Sequence, residues 1–213
     1  MALSKVNFNS MNVTPSASKA IKFNSSNNGL ETGDIGGSLV LISTVTASSS
    51  STVDFTSGID STYKEYQFHF TDVHPATNDA NLQVNFRDGG SSFDATKTTT
   101  FFRAYHTEDD GGSGLEYRTA NDLAQSTGAA TLNIGAGNEN DECTSGILHL
   151  FDPSSTTFVK HFMCDSNLYE GGNNSHRALV AGYANVTAAI DGVQFSFSSG
   201  NIDAGTFKLY GVS

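Results

Sequence analysis

The stretch Tyr63-Lys-Glu-Tyr-Gln-Phe-His-Phe70 carries an aromatic residue at every second position from Tyr66 onward. Tyr66, Phe68 and Phe70 therefore share one face of an extended chain, and the polar residues between them share the other. A period of two with aromatic residues on one side is typical of a β-strand that covers a hydrophobic core. This stretch predicts a sheet that is buried on one face.

The same kind of pattern recurs along the chain beyond residue 38. Further candidate strands are 39–45, 82–86, 101–105, 131–134, 147–151, 158–163, 178–186, 193–197 and 207–210. Turn-forming clusters such as Asp88-Gly-Gly-Ser91 and Asp110-Gly-Gly-Ser113 separate them. We predict an all-β protein, a jelly-roll-like antiparallel β-sandwich over residues 38–213, with about eight main strands and one or two accessory strands.

The amino-acid composition supports this fold class. Phe and Tyr number 15 and 7 among the 213 residues, and Trp is absent. The remainder is rich in Ser, Thr, Asn and Gly, which favour strands and turns over helices. The one helix-like stretch, 120–126, is too short to change the class. No apolar run approaches the roughly 20 residues of a membrane-spanning helix, so we expect no membrane insertion.

The net charge restricts the partners. The chain has 22 acidic and 11 basic residues, a formal charge of -11. A phosphate backbone would be repelled without a local basic stripe, so we expect no nucleic-acid partner. The N-terminal residues Met1–Phe8 lack the apolar core of a secretion signal, which predicts that the chain assembles in the cytoplasm of the cell that makes it.

Residues 1–37 differ from the rest because their apolar residues are isolated among Asn, Ser and Gly. A flexible tail is one interpretation. A disordered tail rarely carries spaced Phe and Ile residues, however, so we favour an extended N-terminal arm that docks on a partner. Its anchoring residues would be Phe8, Ile21, Phe23 and Leu30.

A hairpin is predicted where 147–151 faces 158–162 across a turn of two or four residues near Pro153. This register places Cys143 and Cys164 opposite or nearly opposite each other, where a disulfide is geometrically allowed. Reduced thiols are the expectation for cytoplasmic assembly. His149 and His161 would be neighbours across the two strands.

No motif points to chemistry. Two histidines on adjacent strands can be half of a metal site, but no third ligand has a matching spacing. The acidic loops Glu108–Asp110 and Glu139–Glu142 could hold calcium or simply be solvated, and neither matches a calcium-binding pattern. Paired carboxylates of the glycosidase type are not selected by any spacing. We predict no catalytic residues, no metal and no cofactor.

Seven segments carry a resemblance to known proteins, and they are 12–15, 20–24, 55–60, 63–66, 74–77, 150–158 and 199–211. As a set, from the arm to the C-terminus, they resemble virion structural proteins of marine tailed bacteriophages. It implies a non-enzymatic structural protein of the virion, either a tail fibre or appendage or a capsid decoration protein. No catalytic residues come with it.

The resemblance also implies partners. Other virion proteins of the capsid or tail would hold the arm, and we expect a homo-oligomer, a trimer by analogy with phage appendages. The alternative is a lectin-like module that binds a host surface glycan. Because Trp is absent, its aromatic platform would have to come from Tyr63, Tyr105, Tyr117 or Tyr169.

Overall fold

The computed structural model of the chain describes residues 13–14, 19–33 and 39–213. The chain divides into two units, Met1–Ser38 and Leu39–Ser213. Within the described residues there are fourteen strands and one 3-10 turn, Thr119–Asn121. The strands are β1 Ala20–Phe23, β2 Leu30–Gly33, β3 Leu39–Ser50, β4 Val53–Phe55, β5 Glu65–Pro75, β6 Leu82–Arg87, β7 Lys97–Thr107, β8 Ser113–Tyr117, β9 Ala130–Thr131, β10 Thr144–Phe151, β11 Lys160–Glu170, β12 Asn174–Ala184, β13 Gly192–Phe197 and β14 Ile202–Val212.

The second unit is a jelly roll. An eight-stranded jelly roll, numbered along the chain, has one sheet in the order 1-8-3-6 and a facing sheet in the order 2-7-4-5. The observed sheets contain the orders β3-β14-β5-β10 and β4-β13-β6-β9, which match this arrangement strand for strand. All the pairings are antiparallel. The predicted all-β jelly-roll-like sandwich is confirmed.

Four further strands widen the first sheet. It continues past β10 as β11-β12-β7-β8 and so has eight strands, against four in the facing sheet. The β7–β8 hairpin lies between β6 and β9 in the chain, and the β11–β12 hairpin lies between β10 and β13. The sequence predicted only one or two accessory strands, because an inserted hairpin has the same alternation as a main strand.

The core lies between the two sheets, and most of its largest side chains are phenylalanine. Phe195 of β13 contacts Phe68 of β5 and Phe207 of β14, with ring centroids 5.9 and 5.0 Å apart. Phe86 of β6 packs on Phe162 of β11 at 4.9 Å. The predicted aromatic face of β5 is buried, since Phe68 has no exposed surface.

The chain between the 3-10 turn and β10 covers the part of the added strands' inner face that β6 does not reach. Leu132 in this segment is fully buried, and its carbonyl accepts a hydrogen bond from Ser166 Oγ of β11 at 3.3 Å. The carbonyl of Leu123 accepts a bond from the Thr99 amide of β7 at 2.9 Å. This irregular segment completes the core where the facing sheet ends.

Two lysines are enclosed at one end of this core. Lys97 of β7 and Lys160 of β11 lie on either side of Ala184 of β12 and have no exposed surface. The Lys97 ammonium donates to Asn85 Oδ1 and to the carbonyl of Ala95. Burial lowers the pKa of Lys97 to about 8, and it also lowers the pKa of Lys160.

A β-bulge in β3 changes which of its side chains face the core. Leu39, Leu41 and Val45 are all at odd positions, so simple alternation places them on one face. The pairing with β14 shifts by one residue between Leu209 and Tyr210, which leaves Ile42 as the extra residue. Leu39 and Leu41 therefore point outward and are 44% and 54% exposed, whereas Val45 packs against the core.

Candidate functional site

The described part of the N-terminal unit is a β-hairpin. β1 pairs with β2, and the register places Phe23 opposite Leu30 and Ile21 opposite Thr32. The interpretation of the arm as one unpaired extended segment is therefore corrected for residues 20–33. The loop closes with a hydrogen bond from the Asn24 amide to the Gly29 carbonyl at 2.9 Å. Turn-forming residues between 24 and 29 explain why the chain reverses here.

The predicted anchoring residues of the arm share one face of this hairpin. Ile21 and Phe23 are two residues apart on β1, and Leu30 lies directly across from Phe23. They are 37%, 70% and 37% exposed, respectively. The fourth predicted anchor, Phe8, lies outside the described residues. A two-stranded hairpin of four residues per strand is marginally stable alone.

The predicted register of the β10–β11 hairpin is wrong. Leu148 pairs with Cys164, and Thr144 pairs with Leu168, because the connecting loop runs from Asp152 to Val159 and is longer than expected. Cys143 then lies beside Tyr169, whose amide bonds to its carbonyl at 3.0 Å. The two cysteines are several residues apart along the ladder and both are free. The disulfide that the sequence allowed is not formed.

Both thiols are weaker acids than a free cysteine. Cys164 is buried in the core, and burial raises its pKa well above the ordinary value. Burial, followed by the nearby Asp72 carboxylate, raises the pKa of Cys143 as well. Because the thiolate is the reactive form of cysteine, neither residue is activated for catalysis.

The histidines have ordinary structural partners. His149 pairs across the strand with Met163 rather than with His161, and its Nδ1 lies 2.8 Å from Glu65 Oε1. His161 packs edge-on against Tyr183. Within residues 13–14, 19–33 and 39–213, no three His, Cys, Asp or Glu side chains are grouped so that they could hold a metal ion.

An apolar groove runs along the outer face of the eight-stranded sheet, where polar residues were expected. The groove has a volume of about 350 Å³, and its side chains come from β7, β10, β11 and β12. Met163 of β11 pairs with Ala181 of β12, and Leu179 pairs with Phe102 of β7. The small Ala181 lies among these longer side chains and forms the floor. Met163 and Phe102 are 54% and 39% exposed.

Charged pairs border this groove. Arg177 binds Asp165 through two hydrogen bonds of 3.0 and 2.6 Å, which hold the pKa of that carboxyl below its usual range. Hydrogen bonds from His149 and Gln67 lower the pKa of Glu65, although partial burial opposes them. The Asp165 and Glu65 carboxylates thus accept hydrogen bonds from adjacent side chains. The exposed middle of the groove is apolar.

The sequence contained one sign of this groove. Around Phe101 and Phe102, two adjacent aromatic residues made the buried set ambiguous. The structure buries Phe101 and exposes Phe102, and it adds Leu115 and Tyr117 of β8 to the outer face at 75% and 56% exposure. Apolar residues on both faces of one strand indicate an apolar surface in addition to the core.

Two loops that are distant in sequence meet at one end of the sheet. The Glu108 amide donates to the Asn173 carbonyl at 3.0 Å, and the Tyr169 hydroxyl lies 3.2 Å from both side chains. A polar pocket of about 450 Å³ lies between them, lined also by Asp109 and Gly172.

The four tyrosines considered for a sugar platform differ in burial. Tyr117 is exposed, whereas Tyr63 packs against the core.

Comparison with protein-family models, with curated proteins and with solved structures finds no match to this chain. Over the part of the chain that the structure describes, no helix is both long and apolar enough to cross a membrane.

Proposed function

We propose that this protein is a non-enzymatic structural component of a phage virion, a jelly-roll domain attached to the particle through its N-terminal segment. The observation that carries the proposal is the apolar face of the hairpin. Ile21, Phe23 and Leu30 lie together on one side of a hairpin too small to be stable alone. Such a face is typical of a segment that becomes ordered against a partner.

The folded domain agrees with a structural role. Viral capsid proteins and lectins both use the jelly-roll architecture, so the fold is compatible with either function and favours neither over the other. Burial raises the pKa of both thiols, and the carboxylates beside the groove are held by Arg177 and His149. A tail fibre or appendage and a capsid decoration protein remain the two places in the virion that we propose.

A lectin-like module is the second candidate function. The pairing of β7 with β8 places Tyr117 beside Phe102, so two exposed aromatic rings share the outer face. Exposed aromatic faces bind sugars through apolar stacking. Binding to a glycan array that survives deletion of residues 1–37 and is lost in Tyr117→Ala would favour this candidate.

The proposed function is tested on purified particles of the phage that encodes the chain. Mass spectrometry would give the copy number of the chain relative to the major capsid protein. Hundreds of copies would indicate capsid decoration, and a few to a few tens would indicate a tail appendage. A chain without residues 1–37 should fold but fail to join particles. Absence of the full-length chain from particles would contradict the proposal.

A further inference from the structure

The strand β3 is an open edge of the eight-stranded sheet. It pairs with β14 on one side, and no described strand pairs with it on the other. β3 has 12 residues, Leu39–Ser50, and contains no proline and no charged residue. Its only bulge lies near the N-terminal end, at Ile42. Natural proteins protect long edges with charges, prolines, bulges or shortening, because an open edge presents unpaired amides and carbonyls to other chains.

The other three edges of the two sandwich sheets have such protection. β8 has five residues and contains Glu116, β4 has three residues and contains Asp54, and β9 has two residues. β3 is therefore the long, uncharged one among the four edges of the sandwich. Its unprotected part, Ser43 to Ser48, is long enough to hydrogen-bond along another strand.

The charge distribution favours a second copy as the neighbour at this edge. A chain with a formal charge of -11 repels its own copies. From Ile35 to Val53 there is no charged residue, so two copies can approach at β3 without placing like charges opposite each other. Between Ser43 and Ser48, the exposed side chains of this edge are small and neutral, namely Thr44, Thr46 and Ser48.

We infer that β3 pairs antiparallel with β3 of a second copy about a two-fold axis, which joins two eight-stranded sheets into one. The two edges have the same length by symmetry, whereas β1 and β2 have only four residues each and could cover only a third of β3. A register centred on Thr46 places Thr46 opposite its own copy and Thr44 opposite Ser48. Thr pairs of this kind stabilise antiparallel ladders.

This contact goes beyond attachment through the hairpin and does not depend on it. A two-fold contact produces an even-numbered assembly rather than the trimer expected by analogy with phage appendages. Isologous dimers are the commonest symmetric oligomers, and pairing through sheet edges supplies main-chain hydrogen bonds without a large apolar interface.

The test uses the full-length chain in solution and measures its mass by sedimentation velocity. The wild-type protein should have twice the chain mass of 22.5 kDa. Thr46→Lys and Thr46→Glu should each be monomeric, because two like charges meet at the axis. An equimolar mixture of the two variants should recover the dimer, since Lys then faces Glu.

Thr100→Lys is the matched control, because Thr100 is exposed on β7, which has strands on both sides. It should leave the dimer intact. A monomeric wild-type protein, dimers that persist in both Thr46 variants, or a mixture that stays monomeric would overturn the inference. Loss of the dimer on deletion of residues 1–37, with both Thr46 variants still dimeric, would assign the contact to the N-terminal segment instead.

Discussion

Phe195 and Phe23 are the same residue type in opposite situations. Phe195 lies between the two sheets and touches Phe55, Phe68 and Phe207, with no exposed surface. Phe23 lies on the hairpin of the N-terminal unit and is 70% exposed. An apolar side chain stabilises a fold only where other apolar groups cover it. The core phenylalanine therefore stabilises the fold, whereas the exposed hairpin phenylalanine contributes little to it.

The largest loss of stability is expected when a side chain at the centre of that core is truncated. Phe195→Ala should lower the free energy of unfolding by about 3–5 kcal/mol, because it removes a ring and leaves a cavity among fixed neighbours. For a domain of this size the melting temperature should fall by roughly 10 °C. Calorimetry of the two proteins checks this. A fall of less than 1 °C would contradict the placement of Phe195 at the centre of the core.

A smaller effect concerns the buried lysine at the end of the same core. The pKa of Lys97 is lowered to about 8 from an ordinary 10.5, so at intermediate pH the unfolded chain binds a proton that the folded chain has released. Stability should therefore rise with pH in this range. Relative to Lys97→Met, the wild-type protein should gain about 2 kcal/mol between pH 7 and 9.5 in chemical denaturation.

The comparison with the variant isolates the lysine. Burial raises the pKa of Cys164, so its thiol stays protonated when folded and ionises in the unfolded chain above about pH 9. That effect lowers stability with rising pH, but it is present in both proteins and cancels. If the difference in free energy of unfolding between the two proteins does not change with pH, the pKa of Lys97 is not lowered in the folded chain.

The smallest effect on folding is expected at the hairpin. Phe23→Ala should change the melting temperature of the protein by less than about 1 °C, since an exposed ring contributes little to stability. Incorporation of the variant into particles should nevertheless fall, because the proposed anchor is lost. Lys22→Ala is a matched change on the opposite face of β1 and should leave incorporation unchanged. A clear loss of melting temperature in Phe23→Ala would place Phe23 in a core.

Local patterns in the sequence are sufficient to predict the fold class. Aromatic residues at every second position of β5, turn clusters between short strands and a lack of helix formers all indicate a sandwich, because each is a local property of the chain. The exposed apolar residues of the hairpin could also be identified in the sequence, since Ile21 and Phe23 stand alone among polar residues. The hairpin itself was missed because its pairing partner lies across a six-residue loop, Asn24–Gly29.

The pairing of strands, in contrast, depends on contacts between distant parts of the chain. The positions of Cys143 and Cys164 relative to each other depend on the length of the loop after Phe151, and a shift of a few residues separates them along the ladder. The outer groove required Met163, Ala181 and Phe102 to come together from three strands. The open edge of β3 exists because β14, from the far end of the chain, occupies its other side. Local alternation determines which residues form strands, whereas neighbours and edges are set by long-range packing that no short stretch encodes.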